Sequence, residues 1–248
     1  MTASLLTLTD SRLPAGGHAH SGGAEQAVAA GMITGPESLA AFLLRRLTTA
    51  GVVAAGLAAA ACVAADERGA EGLPEEAGRR GLDAAGERHL AAVGARRATM
   101  LRLLDSEADA RTPSPALRAA SRQQGRGLVR VGRRAWPSPV WDTLPERPPH
   151  PIALGVAAAA AGLAPRDAAS AAAYLSISGP ATAAQRLLAL DPLTVAALTA
   201  RLAPEIDAVA DAADGRNGPV CELSAATDPL LDLLAEVHVT RKDRFFAS

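Results

Sequence analysis

The chain has 248 residues, enough to bury a core as one domain or as two small ones. Hydrophobic residues make up 49% and charged residues 21%, ordinary for a soluble globular protein, and a net charge of -1 offers no global basicity for nucleic acid or a membrane surface. Alanine is everywhere, while aromatics amount to three Phe, two Trp and one Tyr; alanine has the best helix propensity, so the composition points to an all-α fold with close helix contacts.

In chain order, Ser4–Leu8 is a short apolar segment that runs into a turn-rich region from Asp10 to Gly23. Glu25–Met32 reads as a short helix stopped by Gly31 and Gly35-Pro36. Thr34 and Glu37 have capping-box spacing, with Pro36 in the first turn, so a helix is expected from Pro36 to Leu47. Thr48–Gly51 reads as a break before a second segment, Val52–Ala65. Leu47–Ala65 carries no charge, yet it is mostly Ala with Thr and Gly, which favours a buried helix pair over a membrane span. Cys62 lies inside this run as a small core residue, and with Cys221 it forms no CxxC pattern.

Asp66–Gly81, rich in Gly and charge, reads as a loop. Ala84–Leu104 is a helix, Ser106–Pro115 a connector, and Ala116–Trp136 the next helix. Six prolines over Pro137–Pro151 imply an extended connection. Helices follow over Pro151–Gly162, Pro165–Leu190 and Pro192–Ala213, then a loop at Arg216–Pro219 and a short helix over Pro229–Val237. No segment alternates with period two, so the expected fold is a single all-α domain over 1–248, a bundle of eight to ten helices.

Three groups of residues are candidates for function. The sequence "LPAGGHAHSGGAEQAV" places His18 and His20 two apart, a spacing that can put two imidazoles on one metal when they lie on a strand. The preceding Gly-rich run does not make such a strand, which favours a loop shaped by Gly16, Gly17, Gly22 and Gly23. No GxxxxGK[ST] or GxGxxG motif accompanies it. The second group is the series Arg118, Arg122, Arg126, Arg130 and Arg134, joined by Arg133, with no acid between Ala110 and Trp141. It suits a solvated face or an acidic protein partner, and lacks the stacking aromatics that single-stranded nucleic acid favours. The third is the ending "HVTRKDRFFAS", basic and aromatic, which either docks on the body of the protein or anchors a partner. No nucleophile, base and orienting group assemble from the sequence, so catalysis is not expected.

Together the segments resemble the urease accessory protein UreF family. "LLTLTDSRLPAGGHAHSGGAEQAVAAGMI" matches the family's opening, "SRQQGRGLVR", "HPIALGVAAAAAGL" and "AAQRLLAL" follow in the family's order, and "TRKDRFFAS" resembles its arginine-aromatic terminus. Pro14, Gly16, Gly17, Ser21 and Glu25 fall on the N-terminal motif, Arg122, Gln123, Gly125 and Arg126 on the central one, and Gln185 with Arg186 on the later one. The family's partner-contacting C-terminal segment corresponds here to a tail from about 236 to 248 that includes His238, Arg241, Arg244, Phe245 and Phe246, and its N-terminal loop to a flexible stretch from about 10 to 23. The chain departs from the family at His18, where an aromatic is usual, at Ala24, where a Leu is common, and over "SGPATAAQR", which lacks a customary Gly and Gln.

The resemblance implies a cytoplasmic, usually dimeric, non-catalytic scaffold. It would bridge UreD (also called UreH) and the GTPase UreG so that nickel enters apo-urease, with nickel handled by the complex and no cofactor of its own. Neither nucleic acid nor membrane is an expected partner. The alternative from another class is a metal-dependent hydrolase using His18 and His20. A nucleic-acid binder built on the arginine helix is a third and weaker one.

Overall fold

The computed structural model describes residues 3–15, 19–66, 84–214 and 219–247. Among these the fold is all-α. The helices are α1 (Ala3–Thr9), α2 (Ala24–Ala29), α3 (Pro36–Arg46), α4 (Val52–Ala65), α5 (Ala84–Ala110), α6 (Pro115–Ala135), α7 (His150–Ala160), α8 (Pro165–Leu188), α9 (Pro192–Arg201), α10 (Ala203–Asp214) and α11 (Pro229–Thr240). Seven of them, α3, α6, α7, α8, α9, α10 and α11, carry proline at one of the first two positions, where the missing N–H has no helical partner to lose.

Helix α4 is the hub. Its small side chains let α7 on one side and α8 on the other approach closely. A Cβ on Gly155 of α7 would overlap the carbonyl oxygen of Ala58. One apolar core gathers Leu57, Leu101, Leu104, Leu128, Trp141, Ile152 and Leu154; a second, across α4, gathers Leu39, Leu43, Leu47, Ile177, Leu198 and Leu231. Cys62 is buried in the first core, as the sequence suggests, and its Sγ lies 3.7 Å from the Leu163 carbonyl.

Several boundaries differ from those expected. Thr48–Gly51 does not break the helix: Leu47–Gly51 forms a π turn, and Pro36–Ala65 is one rod. That rod is long and apolar enough to cross a membrane by length and composition, but more than half of its most apolar window is buried within the fold. The start of α3 is closed by Ser38 rather than by Thr34 with Glu37. Ser38 Oγ accepts from the amides of Thr34 (3.0 Å) and Gly35 (3.2 Å). Helix α5 continues through Ser106 to Ala110, because Leu104 and Ala108 extend its buried face. The region 192–213 is two helices that meet at Leu202, not one. The proline-rich connector is not fully extended, since Pro139–Thr143 winds a 3-10 turn around buried Trp141. The expected loops at Asp66–Gly81 and Arg216–Pro219 lie almost wholly outside the described residues.

Candidate partner-docking site

The two ends of the chain meet at a buried carboxylate. Helix α2 begins at Gly23, whose φ of 88° turns the loop into the helix, and carries Glu25 inward. Opposite it, α11 presents His238, which is fully buried, with Nε2 2.8 Å from Glu25 Oε2. The chain then turns back. The amide of Phe245 donates to Glu25 Oε1 at 2.8 Å, and the amide of Phe246 to Oε2 at 3.0 Å. Burial alone would raise the Glu25 carboxyl, but the Phe245 amide, the His238 ring and the Phe246 amide together hold it below its ordinary range. An ionised carboxylate can only accept, so the facing nitrogen of His238 carries its proton.

The tail continues as a short parallel pairing with the N-terminal loop. The Ala247 amide donates to the Ala19 carbonyl (2.7 Å), and the Ser21 amide to the Ala247 carbonyl (3.1 Å). Arg241 reaches Gln26 at 3.3 Å and pairs with Asp243 at 2.9 Å. The closure sorts the two phenylalanines. Phe246 packs against the second core, whereas Phe245 is 85% exposed, with Arg244 exposed beside it. Of the two fates the sequence offers for this terminus, docking on the body and anchoring a partner, adjacent residues are disposed for one each.

Beside this junction opens a cleft of about 1170 Å³. Its walls include His20 and Gly22 from the loop, Arg46, His150, and Arg186 from α8. His20 is buried, and His150 is pushed down to about 4, first by burial and then by the nearby His20.

The other residues singled out in the sequence are placed differently from one another. Arg122 is engaged within the chain: it pairs with Asp105 (2.9 Å) and Asp109 (2.9 Å) and bonds the Arg147 carbonyl, tying α6 to α5. Gln123 and Arg126 point outward, and Arg126, Arg130 and Arg134 have no acidic partner among the described residues. Gln185 is half-buried, while Pro14 and Arg186 are exposed and line the cleft. Gly125 lets α6 touch the Pro148 carbonyl. Ser21 is fully buried, and its hydroxyl has no hydrogen-bond partner among the described residues. Gly16, Gly17 and His18 lie outside the described residues, so the His18–His20 pair has one described member. Among the described residues no group of three or more His, Cys, Asp or Glu is arranged to hold a metal ion.

Sequence reasoning missed the pairing of Glu25 with His238 across 213 positions, although each residue was marked separately. It missed Arg46 altogether, since an arginine at a helix end beside another arginine carries no signal of its own.

The fold and the site define an all-helical protein whose joined chain ends display a basic-aromatic edge beside a wide cleft. Comparison with known proteins then gives the family. The UreF family model matches residues 33–203. The urease accessory protein UreF of Mycolicibacterium vanbaalenii is 47% identical over 247 residues, covering 99% of this chain and 98% of that protein. Those of Mycobacterium marinum and Mycobacterium tuberculosis are 45% and 42% identical, each covering 99% of this chain and 98% of their own length. The chain belongs to the UreF family of urease accessory proteins.

Proposed function

We propose that this protein is a non-catalytic cytoplasmic scaffold of urease maturation. It works as a dimer that bridges a UreD/UreH-type protein and the GTPase UreG, so that nickel is inserted into apo-urease in step with GTP hydrolysis. The observation that carries this reading is the division of labour at the C-terminus. Glu25 grips the backbone of Phe245 and Phe246 and leaves the Phe245 ring and Arg244 facing out, the pairing of aromatic and arginine that interface centres favour. Family membership supports a role in urease maturation. A scaffold couples nucleotide state to metal release by fitting one state of its partner better than another.

The test is size-exclusion chromatography with light scattering on this chain alone and mixed with its host's UreD-like and UreG-like proteins. A dimer that joins both in a larger assembly is the expected result; a monomer that ignores both would overturn the scaffold role.

A further inference from the structure

Three irregular pieces of backbone converge on one side chain, Arg46. The first is the π turn Leu47–Gly51, which begins at the very next residue; such turns interrupt the regular ladder and recur at functional sites. The second is Pro180, inside α8. Proline has no N–H, so the carbonyl four residues earlier, that of Ser176, loses its helical donor. The Nε–H of Arg46 supplies that bond from another helix, at 2.7 Å. The third is Gly22, at a φ of 56°. A Cβ there would stand 3.1 Å from both Cζ and Nη2 of Arg46 and 2.9 Å from Pro180 Cγ, so the loop comes this close only as glycine. The π turn is seated at the same place, because a Cβ on Gly51 would fall 2.9 Å from Ser176 Oγ.

The result is a guanidinium anchored by one nitrogen with two left over. The terminal nitrogens of Arg46 make no hydrogen bond and no ion pair among the described residues. Three carboxylates of the cleft are engaged elsewhere, Asp228 by Arg45, Asp10 by Arg12 and Asp109 by Arg122; the fourth, Asp232, makes no ion pair with Arg46. Burial alone draws Arg46 down to about 10, so it stays cationic at neutral pH with no counter-charge among the described residues. A partly desolvated, uncompensated cation is costly until an anion reaches it, and two parallel N–H groups of a guanidinium match the two oxygens of a carboxylate.

We propose that Arg46 is the floor of an anion site in the cleft, which takes a carboxylate or another small oxyanion on its two terminal nitrogens. Arg186, exposed and lining the same cleft, adds positive charge to it, and the volume of about 1170 Å³ leaves room for the group to arrive either free or on the side chain of a docked protein.

The test is arginine side-chain NMR on the full-length chain, titrated with sodium acetate and then sodium phosphate at constant ionic strength set with chloride. The Arg46 Nε–H signal should shift saturably, while those of the exposed Arg126 and Arg130 drift without saturating. An Arg46 signal that moves no more than theirs overturns the site. Calorimetry on Arg46→Gln, whose amide can still donate to the Ser176 carbonyl, should show binding weakened about tenfold or more, about 1.4 kcal/mol. Should that variant lose helicity, Arg46→Lys replaces it, keeping the charge and losing the fork; wild-type affinity in Arg46→Lys would overturn recognition by the fork.

A second arm rests on the scaffold reading. If Arg46→Gln weakens assembly with the UreD-like or UreG-like protein and phosphate competes with that assembly, the natural group is a partner's Asp or Glu. If assembly is indifferent while the titration saturates, it is a free oxyanion. The first arm stands whether or not the scaffold reading does.

Discussion

Glu25 shows what a single buried charge does when every lone pair that matters is occupied. It accepts from two consecutive tail amides and from His238, and the net effect is a lowered carboxyl. A lowered folded-state value means that the ionised form is favoured by folding. Its contribution is therefore fully present above the ordinary 4.5 and is lost as pH falls through the folded value. Glu25→Gln keeps the shape and loses the charge, so tail closure should weaken by about 1–3 kcal/mol. Hydrogen exchange at the Phe245 and Phe246 amides is the measurement, and undiminished protection would show that the carboxylate is not what holds the tail. His150 acts at a higher pH. Its folded value of about 4 against an ordinary 6.5 means that the unfolded chain binds the extra proton first, so stability is complete above 6.5 and declines as pH falls from 6.5 towards 4. Denaturant midpoints measured across that window should fall with pH, and His150→Gln should flatten the slope.

Between elements, close approach rather than large side chains shapes the bundle. Helices α4 and α7 meet at glycine and alanine, and Gly155 faces the backbone of Ala58 with no room for a methyl group. Gly155→Ala gains helix propensity but forces the pair apart, so a net loss of about 1–3 kcal/mol is expected from thermal or denaturant unfolding. An unchanged or raised midpoint would mean that the helices slide apart without cost. The same closeness explains why the Thr48–Gly51 break did not appear. Two threonines and a glycine are weak helix formers, but Leu47 and Gly51 are buried against α8, and burial outweighs local propensity. Proline reads well at helix starts, as in α8 and α9, and the helix expected over Pro165–Leu190 does run through Pro180, but the sequence does not show what serves the carbonyl that this proline frees. There the fold satisfies the freed carbonyl with Arg46, a compensation that lies 130 residues away.

Across the whole molecule, the tail separates holding from presenting. Arg244→Ala combined with Phe245→Ala removes exposed atoms, so recruitment into the assembly should fall while helicity and melting temperature stay unchanged. Phe246→Ala removes a ring packed on the second core and should lower stability as well. Circular dichroism beside the light-scattering assay distinguishes the two; a collapse of helicity in the Arg244/Phe245 double variant would place those side chains in the core instead. The arginine series on α6 divides in a similar way. Arg118, Arg122 and Arg133 hold the chain to itself, and Arg126, Arg130 and Arg134 are left to solvent or to an acidic partner.

The sequence by itself determined the all-α class, most helix starts and the family. These depend on local chemistry: alanine propensity, proline in first turns, apolar residues at helical spacing, and motifs read in order. Tertiary structure alone decided that Glu25 meets His238, that Phe246 turns in while Phe245 turns out, and that Arg46 stands over the carbonyl freed by Pro180. Each of these placements depends on residues more than a hundred positions apart, brought together by the packing of the bundle. A buried charge or a freed carbonyl finds its partner in three dimensions, and nothing in the neighbouring residues records which partner that is.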